Sequence, residues 1–108
     1  MRFLSAMALV TGFVSIASPA ISQEAPNVAS GRKLASAWCS ECHLVAAGQS
    51  KAGNDAIPTF STIANKPGTT AMALKAYLAT PHPVMPNVVA TRQQVDDIVA
   101  YILTLQRR

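Results

Sequence analysis

Two cysteines and a histidine stand close together in the chain, at Cys39, Cys42 and His43. Residues i and i+3 of a helical turn share a face, so both thiols can reach the same flat group. Each thiol can then add to one vinyl group of a single porphyrin, and the histidine that follows can bind the porphyrin iron. The spacing therefore predicts the covalent attachment of one haem c.

The same residues also allow two other chemistries. A thioredoxin-like thiol pair uses Cys-x-x-Cys, but it needs a βαβ context, which this sequence lacks. A zinc ion would take these three side chains together with His82. Structural zinc sites favour paired ligands at both ends, however, and His82 stands alone. Haem attachment is the preferred prediction, with the thiol pair and zinc as alternatives.

A haem that carries electrons needs a second iron ligand, and a methionine opposite the histidine is a usual arrangement. The candidates are Met72, Met85 and His82. Met72 falls within a predicted helix and is expected to pack in the core. Met85 lies in residues 81–86, where three prolines fix an extended segment that can hold a soft thioether near iron. Met85 is preferred, His82 and an open iron position remain as alternatives, and His82 is otherwise expected at the surface.

The segments that must position these residues have helical patterns. Residues 28–38 follow Asn27 as a possible N-cap, and residues 71–79 follow Thr69 or Thr70. A shorter helical turn is predicted for residues 59–64. Nothing after residue 22 alternates convincingly at period two, so we predict an all-α fold with three main helices and long loops.

The last helix has the clearest signals. Thr91 and Gln94 form a capping-box pattern at its start. An apolar stripe at helical spacing follows. It comprises Val95, Ile98, Val99, Ile102 and Leu105.

The first 22 residues are predicted to be a cleaved secretory signal peptide. Arg2 gives a positive start, and residues 3–17 are a run of 15 without a charge. Cleavage is expected after Ser22, with Ala20 as the alternative. An uncleaved anchor is disfavoured, because a span needs about 20 apolar residues and Pro19 interrupts this run. The predicted location is the periplasm, with no stable membrane span after cleavage.

The predicted mature domain, residues 23–108, has 86 residues, which is near the lower limit for a self-sufficient core. A disulfide between Cys39 and Cys42 would close only a tiny loop and constrain little of the unfolded chain. A bound cofactor is therefore expected to complete the core.

The charge of the chain points to no polyanionic partner. The formal net charge is +4, and residues 23–108 carry eight basic and five acidic side chains. Only two pairs of basic residues are adjacent, and no basic run alternates with aromatic residues. Nucleic-acid binding is therefore not expected.

The chain resembles the class I c-type cytochromes over residues 28–106, nearly the whole predicted domain. The resemblance rests on features in a fixed order. These are Gly31, Cys39-Ser40-Glu41-Cys42-His43, Ile57-Pro58, Met85-Pro86 and Asp97-Ile98-Val99-Ala100-Tyr101.

This resemblance implies a set of contacts. The first and last helices would cross at Gly31, with the aromatic ring of Tyr101 packed there. The carbonyl of Pro58 would accept a hydrogen bond from His43 and so orient that iron ligand. Two positions depart from the family pattern. Ala35 replaces a frequent aromatic, and Trp38 stands where some relatives have lysine, so Trp38 is expected to pack on haem, to shape a docking face or to fill the core.

The resemblance also implies a function, outer-sphere transfer of single electrons between periplasmic redox partners such as dehydrogenases, oxidases or reductases. An electron-transfer subunit of such a complex and a ligand-binding haem enzyme with an open iron are the alternatives. We expect an electron carrier and not an enzyme. Basic side chains that could steer an acidic partner are Arg32, Lys33, Lys51, Lys66 and Lys75.

Overall fold

The computed structural model describes residues 9–21, 23–50, 56–81 and 84–108. These residues form four helices and no strand, which confirms the predicted all-α fold. The helices are α1 (Val28–Trp38), α2 (Phe60–Asn65), α3 (Ala71–Ala79) and α4 (Arg92–Leu103). Three of them are long, and α2 is the predicted short turn.

Each helix begins at a side chain that accepts a hydrogen bond from the first turn. Asn27 caps α1, Thr59 caps α2 and Thr70, rather than Thr69, caps α3. Thr91 and Gln94 form the predicted capping box, in which each side chain bonds the backbone of the other residue. These caps satisfy N–H groups that have no partner within the helix, which is why polar residues fix where the helices start.

Helices α1 and α4 cross in backbone contact at Gly31, as the resemblance implies. A Cβ atom at Gly31 would overlap the carbonyl oxygen of Asp97, so only glycine fits there. Tyr101 lies one turn further along α4 and is buried in the core with Ala35. The small side chain of Ala35 therefore allows the rest of the crossing to remain close.

A polar contact closes the same crossing. The buried carboxylate of Asp97 accepts hydrogen bonds from the Asn27 N–H at 2.8 Å and from Gln93 Nε2 at 2.9 Å. These bonds, the Asn27 N–H first among them, hold the pKa of Asp97 below its ordinary value. Asp97 thus ties the start of α1 to the middle of α4.

The core lies between α4 and the other helices. Its buried members are Ala35, Val45, Phe60, Ala64, Ile98, Tyr101 and Ile102. Helix α3 contributes no buried residue, and its half-buried Leu74 and Leu78 pack against the edge of this core. Within the part of the chain that the structure describes, one ion pair is present, between Lys75 Nζ on α3 and Asp96 Oδ1 on α4, at 2.7 Å.

Met72 is 81 % exposed, so the expectation that it packs in the core is wrong. At about 100° per residue it lies almost opposite Leu74, the side chain that faces the core, and it therefore points to solvent.

Residues 9–21 lie outside the helices and are exposed. Among the described residues, no helix is both long and apolar enough to cross a membrane. Residues 1–8 and Ser22 of the predicted signal lie outside the described residues, so the signal stays a prediction.

Candidate functional site

The turn 39–43 begins where α1 ends. The Cys39 N–H donates to Ala35 O at 2.9 Å, and the N–H groups of Cys42 and His43 both reach Cys39 O, at 3.2 and 2.8 Å. The backbone therefore winds on past the last helical residue and keeps the two cysteines one turn apart. Both thiols are free; Cys39 is half-buried and Cys42 is exposed.

His43 is fixed through one of its two ring nitrogens. Its Nδ1 lies 2.7 Å from the carbonyl oxygen of Pro58. A carbonyl can only accept, so Nδ1 is the nitrogen that carries the proton in this hydrogen bond, which makes Nε2 the ring nitrogen available to a metal. The carbonyl of Pro58 thus orients the ring through Nδ1, as carbonyl groups do for metal-binding histidines that use Nε2.

A chain of aromatic rings connects this histidine to the core. The His43 ring lies 5.5 Å from the ring of Phe60, and Phe60 lies 6.4 Å from Tyr101, both pairs tilted. The Phe60 N–H also donates to Leu44 O at 3.0 Å, which joins the start of α2 to the chain just after His43. Helices α2 and α4 thus support the histidine from its inner side.

Burial first, and then the neighbouring Cys42 thiol, raise the pKa of the Cys39 thiol. A redox-active Cys-x-x-Cys pair works through a thiolate of lowered pKa. The environment of Cys39 therefore disfavours the thiol-pair alternative, and the strand-free fold of the described residues gives no βαβ unit to hold one.

The other predicted site residues are placed less tightly. Met85 is half-buried in a bend after α3, and its role as the second iron ligand stays a prediction. Trp38, directly before Cys39, is 47 % exposed, so it does not simply fill the core. His82 and Lys51 lie outside the described residues. Within the described residues, no group of three or more histidine, cysteine or acidic side chains could hold a metal ion.

One residue of the site went unrecognised in the sequence. Gln49 donates to the carbonyl oxygens of Ser40 and His43 and accepts from the Val45 N–H. The only local signal is the preceding Gly48, whose φ of +81° marks a tight turn. A glutamine that bonds backbone groups four to nine residues away leaves no periodic pattern in the sequence.

The residues present fit a covalently held haem. Two free thiols one turn apart stand beside an imidazole whose Nε2 is left as a donor atom. Large apolar side chains are also left exposed, an arrangement that marks a surface to be covered. They include Trp38, Tyr77, Val84 and Val89.

The family model described as Cytochrome c matches residues 28–106. The chain belongs to the cytochrome c family. Among curated relatives it is similar to cytochrome c-552 of Bradyrhizobium diazoefficiens, with 38 % identity over 93 residues that cover 86 % of this chain and 88 % of that protein. The comparison with solved structures found no match.

Membership of the cytochrome c family establishes the cofactor and the general role of the chain. Proteins of this family carry haem c and its iron, and they transfer electrons to redox partners instead of transforming a substrate. The chain is accordingly a haem c electron carrier and not an enzyme. The spacing of Cys39, Cys42 and His43 is the one that haem c attachment requires.

Proposed function

We propose that Cys39 and Cys42 hold one haem c by thioether bonds, and that His43 and Met85 are the axial ligands of its iron. The observation that carries the proposal is the hydrogen bond from His43 Nδ1 to Pro58 O, since it leaves Nε2 as a donor atom next to the two free thiols. The chain would then carry single electrons between periplasmic redox proteins.

The attachment needs no further reagent than two reduced thiols. Each of the Cys39 and Cys42 thiols would add across one vinyl group, with a carbon–sulfur bond formed and the thiol hydrogen passed to the other vinyl carbon. No electrons are gained or lost overall. A disulfide between Cys39 and Cys42 would block both additions, so both thiols must be reduced when the haem is attached.

His43 and its neighbours keep the ligand atom in place. Pro58 accepts a hydrogen bond from Nδ1, and the tilted contact with the Phe60 ring limits rotation of the imidazole. When bound, haem c supplies an iron that gains or loses one electron without any change of ligands. Fixed ligands keep the structural change between the two oxidation states small.

Met85 is the proposed second ligand because of where the chain holds it. It is half-buried in the bend after α3 and is followed by Pro86, which restricts the backbone. A thioether is a weak ligand, so a pre-set segment favours its binding to iron. Methionine ligation also raises the reduction potential.

Export completes the proposal. Residues 1–22 would direct the chain to the periplasm and be removed, which leaves residues 23–108 as the haem domain. Basic side chains such as Arg32 and Lys33 on α1 are exposed and could steer an acidic partner towards the protein.

Absorption spectra of the exported protein, together with its intact mass, test the proposal. We expect a c-type reduced spectrum, the weak far-red band of ferric iron–methionine ligation, and a mass equal to residues 23–108 plus one haem. Met85→Ala should remove the far-red band and let carbon monoxide bind the ferrous protein. It should also lower the potential by on the order of 0.1 V, since axial ligands set haem potentials over about 0.8 V.

Met72→Ala is the matched control, since that methionine points to solvent and should leave band and potential unchanged. If the band survives in Met85→Ala, the ligand assignment passes to Met72, whereas a parent c-type spectrum without the band would point to His82 or to an open iron. Carbon monoxide binding by the parent protein would instead favour a ligand-binding haem with an open iron.

A further inference from the structure

The amide of Gln49 makes three hydrogen bonds, all to backbone groups around the turn 39–43. Its Nε2 donates to Ser40 O at 3.1 Å and to His43 O at 3.0 Å, and its Oε1 accepts from the Val45 N–H at 2.8 Å. Two carbonyls and one N–H can be satisfied only by an amide in this orientation. A carboxylate or an apolar side chain of the same length could not make this set.

The three backbone groups belong to residues within the turn 39–43 or directly after it. Ser40 follows Cys39, and Val45 stands two residues after His43. Because α1 ends at Trp38, carbonyls in this turn lack the partners that a continuing helix would provide. Gln49 supplies the missing donors, and Ser40, His43 and Gln49 are all half-buried, where water would replace them poorly.

Gln49 is itself held in position by a tight turn. Its own N–H donates to Ala46 O at 3.3 Å, and Gly48 between them has a positive φ. On the other side, the carbonyl of Val45 accepts the buried Tyr101 hydroxyl at 2.6 Å. Val45 is therefore bonded to Gln49 through its N–H and to α4 through its oxygen.

From these contacts we propose that Gln49 is a positioning residue for the haem: it fixes the backbone of the turn 39–43 and so the direction in which His43 presents its ring to the iron. This inference rests on the proposed role of His43 as an axial ligand. Pro58 sets the rotation of the ring about its own bonds, while Gln49 sets the backbone from which the ring extends. Both are needed for a single ligand geometry.

Two substitutions in the haem-loaded protein distinguish the effects of the individual Gln49 hydrogen bonds. Gln49→Met keeps the length of the side chain and removes all three hydrogen bonds. Gln49→Glu keeps the acceptor for the Val45 N–H but turns a carboxylate oxygen towards two carbonyl oxygens. Gln106→Met is the matched control, because Gln106 makes one long bond of 3.4 Å to Thr69 O, away from the turn.

Two readouts report on position and not only on stability. The haem methyl proton shifts of the ferric protein respond to the orientation of the axial histidine. We expect them to change in both Gln49 variants and to stay at parent values in Gln106→Met. Hydrogen exchange of the Val45 amide should quicken about tenfold in Gln49→Met and less in Gln49→Glu, which keeps that bond.

If both Gln49 variants have the same haem methyl shifts as the parent protein, the inference is refuted, even if the variants are less stable. Should Gln49→Met not accumulate with haem, Gln49→Glu alone decides by the same criterion. The parent spectrum is recorded first. A parent without covalent haem would refute the proposed function, whereas a normal parent with unaltered Gln49 variants would refute only the positioning role.

Discussion

The helix crossing and the open side of the molecule are built in opposite ways. At the helix crossing, where α1 meets α4 around Gly31 and Asp97, backbones touch and α4 buries Ile98 and Val99 almost completely. The open side consists of α3 and residues 84–90. Helix α3 has no buried residue, Tyr77 is 53 % exposed and Val89 is 95 % exposed.

This difference shows which part of the core the chain can make alone. The helix crossing is completed by its own glycine, small residues and carboxylate. The open side has apolar side chains with too little of the chain to cover them, and the haem is the large apolar group that the family adds. Folding of a domain this small should therefore depend on the haem.

The largest effect is expected from removing both points of attachment. The double variant Cys39→Ala, Cys42→Ala should carry no covalent haem and, without it, should lose most of its helical circular dichroism. The open side then has nothing to cover it, and the helix crossing alone buries too few side chains to offset the chain entropy.

Glu41→Ala is the control for this experiment, because Glu41 is exposed in the same turn and offers no thiol. It should keep both haem and helicity. Covalent haem in the double variant would contradict the proposed attachment, and a cooperative, helical haem-free protein would contradict the dependence of the fold on haem.

The next largest effect breaks the helix crossing instead. Gly31→Ala would place a methyl group on the Asp97 carbonyl, and backbone cannot move aside as a flexible side chain does. We expect the free energy of unfolding of the haem protein to fall by about 3 kcal/mol, measured with denaturant. The far-red band should persist in the fraction that remains folded, since neither proposed iron ligand lies at the helix crossing.

Gly68→Ala provides the comparison. A Cβ at Gly68 meets open space, and its cost comes only from the positive φ of +83°, about 1 kcal/mol. Equal losses for the two alanine variants would show that the contact between α1 and α4 is looser than the structure has it.

Structural features set by residues a few positions apart could be predicted from the sequence. All four helices and their caps were predictable, because apolar spacing and capping residues act within a few positions. The resemblance also predicted that α1 and α4 cross at Gly31 and that His43 bonds Pro58, and the structure has both contacts. These features depend on local pattern or on a fixed order of motifs.

Contacts between distant residues without a pattern were not predictable. The sequence could not reveal that Gln49 folds back on the turn 39–43, nor that Asp97 closes on Asn27, 70 positions away. Met72 was misplaced for a related reason. A uniformly apolar helix such as α3 does not show in its sequence which side faces the core.

A smaller effect is expected on the pH dependence of stability, through the Asp97 carboxylate at the helix crossing. Hydrogen bonds hold the pKa of Asp97 below its ordinary value of about 3.9, so its ionised form stabilises the fold above that value. That stability is lost as pH falls through the lowered pKa. Asp97→Asn should cost about 2 kcal/mol at pH 7, and its difference from the parent should shrink from about pH 5 downwards.

Asp96→Asn is the neighbouring control. Its ion pair with Lys75 is exposed on the lysine side, and ion pairs that water reaches contribute about 0–1 kcal/mol. Unfolding of the two haem-loaded variants over a pH series checks the prediction. A cost for Asp97→Asn that stays constant down to pH 3 would mean that the carboxylate charge does not stabilise the helix crossing.

The smallest effect concerns the hydrogen bond that links the helix crossing to the chain just after the turn 39–43. The Tyr101 hydroxyl, buried on α4, donates to Val45 O at 2.6 Å, two residues after His43. Tyr101→Phe removes this bond and leaves a buried carbonyl without it, so we expect a loss of about 1 kcal/mol in unfolding free energy. If the unfolding free energy is unchanged in Tyr101→Phe, α4 supports the turn 39–43 by apolar packing alone, through Phe60, and the Tyr101 hydroxyl does not contribute.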